Sequence, residues 1–467
     1  MSDPSDAPGG RVAPRGETTA PDAPPPVTLR EAVPFWLKLG CIGFGGPAGQ
    51  IAIMHQELVE RRRWISERRF LHALNYCMLL PGPEAQQLAT YLGWLLHRTS
   101  GGLLAGTLFV LPSLLLMIGL SWAYVVFGNT TLLGGLFYGI KPAVTAIVVH
   151  AAWRIGRRAL GNAALWAIAA AAFLSMTVAR VPFPVIVIGA GLLGALGGRL
   201  APALFVAGGS AHGSAGRTTG RGGALVDDDT PVPPHGRFSA RRAAGYLLAG
   251  LATWAVAVLA VTAFDGSGGA LWNMASFFTK AALVTFGGAY AVLPYVYQAS
   301  VMHYGWVSGP QMIDGLALGE TTPGPLIMVV AFVGFLGGWQ LEAGLPGGPL
   351  LAGIAGATVA TFFTFLPSFV FILVGGPLVE STHGNLSFTA PLTSITAAVV
   401  GVVVNLAVFF AAHVLWPAGA ITRDGFDAVA AVIGLLAVLA LFRWNRSVLQ
   451  VVGACAVGGL IVAVLRA

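Results

Sequence analysis

Residues 35–46 read FWLKLGCIGFGG, one lysine in an apolar run followed by three glycines within four residues, and residues 277–288 read FFTKAALVTFGG. The common shift of 242 sets Lys38 on Lys280, Gly45 on Gly287 and Gly46 on Gly288. At the same shift Trp64 falls on Trp306, Ser66 on Ser308, and Pro81-Gly82-Pro83 on Pro323-Gly324-Pro325 without a gap. The chain is an internal duplication. Further along the register drifts, yet FVLPS at 109–113 still finds TFLPS at 364–368.

With 56% hydrophobic and 10% charged residues in 467, and a mean hydropathy of +0.76, the chain has too little polar surface to close a soluble globule. Apolar runs of about 20 residues, without the short alternation of an outer-membrane barrel, predict an all-α polytopic membrane protein. Residues 1–28 are polar and rich in Pro, Gly and Ala, with no compact apolar core before a small-residue cleavage site, so they read as a disordered tail and not a signal peptide. A second composition break at 207–242 reads as a flexible linker between two membrane repeats, 29–206 and 243–467.

Cys41, Cys77 and Cys455 form no CxxC or Cys/His cluster, so no disulfide framework or metal site is expected. The net charge of +7 identifies no partner, because membrane proteins concentrate Lys and Arg in cytoplasmic loops; nucleic acid is not expected. Those charges do carry orientation. The loop ELVERRRWISERRF at 57–70 holds five arginines, whereas its counterpart YQASVMHYGWVSGPQM at 297–312 holds no Lys or Arg. The positive-inside rule puts the first loop, and with it the linker, in the cytoplasm and the second outside, which makes the duplication an inverted repeat. The extra apolar run at 243–264 supplies the odd crossing this requires.

Pro-Gly-Pro inside an apolar segment ends a helix, since Pro83 lacks an N–H and disfavours the α region at Gly82, and proline suits the first turn of a new helix. The restarted helices expose N–H groups near Glu84 to Gln86 and near Leu326 to Met328. Such ends carry partial positive charge and suit an anion. A broken or re-entrant helix at each motif competes with a proline kink that serves packing alone. The glycine clusters permit either close helix packing or a turn that offers N–H groups to a ligand. An ionised lysine at membrane depth faces a cavity, partner or substrate unless it snorkels to an interface, so Lys38 and Lys280 are candidate ligands of a shared dianion. Glu84 and Glu320 stand beside the two breaks as candidate proton-coupling groups, with helix-end capping the competing reading for Glu84. Gln86 and Thr322 add polar groups at the same depth. The substrate-binding candidates are thus Lys38, Lys280, Gly45, Gly46, Gly287, Gly288, Pro81, Gly82, Pro83, Gln86, Thr322, Pro323, Gly324 and Pro325. No GxSxG, HExxH or Walker pattern is present, so neither an enzyme nor a cofactor is expected, with a membrane-embedded enzyme as the lesser alternative to a transporter.

FGGP at 44–47, the arginine-rich loop, LLPGPEAQQLA at 79–89 and the second-half echo TFGGAYAVLPY…TPGP together resemble the chromate ion transporter family, in its long two-domain form. The resemblance implies secondary transport of chromate across the bacterial inner membrane, typically as proton-coupled efflux that confers resistance. Sulfate is the chemically similar dianion, and an oxyanion carrier running inward or an anion channel is the alternative. A homodimer is the assembly to test. The tail, the linker and the carboxylate directly after the first Pro-Gly-Pro depart from the family pattern.

Overall fold

The computed structural model describes residues 26–44, 46–128, 130–205, 224–227, 236–286, 288–340, 347–381, 389–417, 422 and 425–466. The first half holds α1 (Leu29–Ile42), α2 (Gly46–His55), α3 (Glu67–Leu79), α4 (Glu84–Phe127), α5 (Thr131–Ala159), α6 (Ala163–Thr177) and α7 (Phe183–Leu200). Then come α8 (Ala240–Asp265), α9 (Ala270–Val284), α10 (Ala289–Tyr297), α11 (Gly309–Thr321) and α12 (Val329–Gln340). The chain ends in α13 (Gly348–Ser381), α14 (Thr389–Leu415), α15 (Ala428–Phe442) and α16 (Val448–Arg466). Seven of these, α4, α5, α7, α8, α13, α14 and α16, are long and apolar enough to cross a membrane. The protein is a multi-pass membrane protein. Its outer helices turn large apolar residues outward, as Leu248, Leu251, Leu259 and Phe264 of α8 do, because lipid and not water is their solvent.

Local structure repeats at the 242-residue shift. A π-helical turn at Gln56–Arg61 recurs at Gln298–His303, so one residue more than an α-turn is accommodated at the same place in each half. Ser66 caps α3 and Ser308 caps α11, each accepting from the N–H three residues on, and Trp64 and Trp306 are buried just ahead of them.

Each half also folds its middle into back-to-back hairpins. α3 stops at Leu79 and α4 starts at Glu84; α11 stops at Thr321, and a single 3₁₀ turn, Leu326–Met328, precedes α12. The Tyr76 and Tyr91 rings lie 5.9 Å apart across the first break, and Gly315 and Gly319 pack on Phe332 and Val329 across the second, so the chain doubles back at each Pro-Gly-Pro. α4 then reverses again at His97 and Arg98, whose backbone leaves the helical region, giving arms 84–96 and 99–127. Gly93 against Gly101 in the first half, and Gly334 against Gly356 in the second, let the arms touch where a Cβ would collide with carbonyl oxygen. The second arm of α4 packs on α13 with Gly106 against Phe369, while Gly376, further along α13, meets Tyr91 and Trp94. The two long helices are therefore antiparallel.

Part of the interhalf segment is tied down. Val226 forms a parallel bridge with Ile65, through Val226 N–H to the Trp64 carbonyl at 3.0 Å and Ser66 N–H to the Val226 carbonyl at 3.0 Å. α8 begins at Ala240, inside the span 207–242 expected to be linker, because its arginines are followed by continuous apolar sequence. The tail residues 1–25 and linker residues 206–223 and 228–235 lie outside the described residues.

Candidate functional site

The two Pro-Gly-Pro tips meet components of the opposite half. Gly82 donates its N–H to the Thr285 carbonyl at 2.8 Å, and Gly324 donates to the Gly43 carbonyl at 3.0 Å. Gly43 and Thr285 are themselves one repeat apart. Both tip glycines have positive φ, +123° and +107°, which a side chain would strain. A Cβ on Gly82 would lie 2.6 Å from Ser368 Oγ, and one on Gly324 would lie 2.5 Å from Ser113 Cβ, so each tip is seated on the serine of the other half's LPS motif. The prolines on either side withdraw N–H donors, and the broken glycine-rich ends of α1 and α9 supply the carbonyls that receive the remaining one.

Gln50, fully buried in α2, links the two components by donating to the Gly43 carbonyl at 2.9 Å and to the Gly324 carbonyl. Gln87 donates to the Pro81 carbonyl at 2.7 Å and to Ser368 Oγ at 3.4 Å. Gln86 donates to Thr90 Oγ1 at 3.0 Å, and its buried carbonyl oxygen has no partner among the described residues. Thr322 is buried and turns its hydroxyl to the Gly319 carbonyl at 3.3 Å and to Met117 sulfur. The first helical bond of α4 runs from Gln87 N–H to the Pro83 carbonyl, which leaves the N–H groups of Glu84, Ala85 and Gln86 ahead of the ladder. An N-terminus of this kind, seated among protein at the end of a long apolar helix, favours negative charge.

The carboxylates differ. Glu320 is buried and accepts from the Tyr290 hydroxyl at 2.5 Å. Glu84 faces the glycine turn of the other half, where a Cβ on Gly288 would lie 3.5 Å from its Oε1, and it has no hydrogen-bond partner among the described residues. Gly46 and Gly288 both take positive φ, +68° and +90°. Gly45 and Gly287 lie outside the described residues. Lys38 and Lys280 are exposed on α1 and α9, each five residues before the carbonyl that accepts a tip N–H, and neither has an ion-pair partner among the described residues. The structure thus sets Pro81–Pro83 and Glu84 against Thr285, Gly288 and Ser368, sets Pro323–Pro325 against Gly43, Gln50 and Ser113, and leaves the two lysines exposed.

Sequence reading passed over Gln50, Ser113, Ser368 and Tyr290. The serines had a signal in the repeated LPS, and Gln50 is the one strongly polar side chain of α2 before His55. Tyr290 had none, because its partner lies 30 residues away on another helix.

Comparison with known proteins finds matches over both halves of the chain. The chromate transporter family model matches residues 31–195 and 272–460, one stretch in each half. A chromate transport protein of Cupriavidus metallidurans is 30% identical over 440 residues, 94% of each chain. One of Pseudomonas aeruginosa is 35% identical over 391 residues, 83% of this chain and 82% of the relative. No solved structure matches. These relatives are named for transport, not for catalysis, and the match spans both halves and both Pro-Gly-Pro motifs: the chain belongs to the chromate transporter family.

Proposed function

We propose that this protein is a secondary transporter that carries chromate, a tetrahedral dianion, across the bacterial inner membrane, with proton-coupled efflux as its direction. The observation that carries the reading is the reciprocal pair of tip contacts, Gly82 to Thr285 and Gly324 to Gly43, each of which sets a Pro-Gly-Pro break beside the glycine turn of the other half. Helix N-termini and backbone N–H groups bind an oxyanion without a metal or a cofactor. An inverted arrangement of the repeats is supported by the antiparallel run of the second α4 arm and α13, and by the unequal arginine content of the two equivalent loops.

Lys38 and Lys280 supply the positive charge that a dianion needs on approach, their outward placement serving capture before the ion reaches the tips. Glu84 is the coupling group of this reading: a carboxylate beside an anion site opposes the substrate unless it takes up a proton, so occupancy by proton and by chromate are linked. The test is chromate and sulfate flux in oriented proteoliposomes with and without a pH gradient. Chromate flux driven by the gradient is expected. Flux indifferent to the gradient would make the protein a channel, and preferential sulfate uptake would make it an importer of that dianion.

A further inference from the structure

Away from the tips, the membrane domain holds two more sets of charges, each built on a buried carboxylate. In one, Arg69 of α3 donates to Glu380 of α13 at 3.0 Å, and Tyr91 of α4 donates to the other carboxylate oxygen at 2.6 Å. In the other, Lys141 of α5 pairs with Asp314 of α11 at 3.4 Å, and Tyr124 of α4 donates to the same carboxylate oxygen at 2.9 Å. Each set is a cation, a carboxylate and a tyrosine. Glu380 and Asp314 are 7% and 3% exposed.

Their placement follows the repeat. Arg69 lies on the helix that leads into the first tip and is paired with the long helix of the second half; Asp314 lies on the helix that leads into the second tip and is joined to the long helix of the first half. Along those long helices the tips contact Ser113 and Ser368. Tyr124 lies eleven residues beyond Ser113 and Glu380 twelve beyond Ser368, which at 1.5 Å per residue is roughly 16 and 18 Å. Since α13 and the second arm of α4 are antiparallel, the two sets lie on opposite sides of the tips, on the order of 30 Å apart. Each therefore ties the base of one hairpin to the opposite half, one on either flank of the site.

We propose that Arg69–Glu380–Tyr91 and Lys141–Asp314–Tyr124 are two gates that open alternately, the first on the side of the 57–69 loop and the second on the far side. The proposal rests on the transport reading above. A buried ion pair adds little net stability, because desolvation of both charges offsets their attraction. When water enters the flank, the separated charges regain hydration, so breaking the pair is reversible in a way that exposing packed apolar side chains to water is not. Both gates are closed in this structure. The first is also tied to the interhalf segment, because Arg69 donates through Nε to the Asp227 carbonyl at 3.0 Å.

The test uses a chain whose three native cysteines are replaced by serine and whose Ser113 is replaced by cysteine, a thiol reporter at the tips. Labelling by an impermeant maleimide is followed from each side of oriented proteoliposomes, and chromate flux is measured in the same gate variants made without the Ser113 reporter. Glu380→Gln is expected to raise labelling from the 57–69 side on the order of tenfold and to lower it from the other, with Asp314→Asn doing the reverse and both slowing flux. Tyr91→Phe and Tyr124→Phe, which remove one hydrogen bond and no charge, should shift labelling in the same directions by less; they keep the test open if a charge variant fails to fold. Unchanged labelling in the tyrosine variants and in every folded charge variant, or a shift to the same side for both gates, would overturn the gates. Labelling that responds as expected in a reporter chain whose parent moves no chromate would leave the gates standing and remove the transport reading.

Discussion

Gly82 and Thr285, more than 200 residues apart, are joined by a 2.8 Å hydrogen bond from the tip of one half to the broken end of α9 in the other, and Gly324 and Gly43 repeat it in mirror order. Gly82→Ala and Gly324→Ala each place a side chain at a positive φ and against a serine, so each should cost about 1–3 kcal/mol of stability by backbone strain. Transport should fall in both. Thermal unfolding in detergent and vesicle flux measure the two effects; a Gly→Ala variant at either tip with unchanged unfolding temperature and flux would show that the tip conformation is not required.

Glu84→Gln removes the charge beside Gly288 while keeping the side chain's shape. Chromate binding should persist, because an uncharged group no longer opposes the anion. The dependence of flux on pH should flatten, since proton uptake and chromate occupancy are then uncoupled. Glu320, held by the Tyr290 hydroxyl, provides the contrast: Tyr290→Phe leaves a buried carboxylate short of its donor and should disturb folding more than coupling. Equal pH profiles for wild type and Glu84→Gln would take Glu84 out of the mechanism.

Lys38→Ala and Lys280→Ala test capture of the dianion. Each should weaken apparent chromate affinity, on the order of tenfold at low ionic strength and less in high salt, because exposed charges act through a screened field. The double variant should lose less than the sum if both lysines serve one ion. Affinity in the four chains at two salt concentrations decides it, and independent, salt-insensitive changes would assign both lysines to the membrane interface.

Orientation of the repeats is open to labelling at matched positions. Ser66 and Ser308 cap helices, so replacing them would fray α3 and α11. Glu60 and Met302 are one repeat apart in the π-helical turns, and both are exposed. Cysteines at these two sites in a cysteine-free chain should react with an impermeant maleimide from opposite sides of the membrane. Reaction of both from one side would mean a parallel duplication.

Much of this was legible in the chain because it depends on local chemistry. Hydropathy requires membrane helices, whereas Pro-Gly-Pro leaves a break or a kink open; α3 stops at Leu79 and α11 at Thr321 by backbone sterics, and the caps at Ser66 and Ser308 rest on a hydroxyl reaching three residues along. The repeated glycines leave close packing and a turn both open, and Gly46 and Gly288 take positive φ. What tertiary structure alone decided is which half each group serves. The tip of one repeat is completed by the carbonyl and serine of the other, Gln50 spans 274 residues to reach Gly324, and half-buried Arg69 and buried Asp314 find their partners across the interface between halves. Periodicity records which face of a helix is apolar, but a hydrogen bond or ion pair between distant segments depends on how the helices cross, which is settled by packing of the whole core.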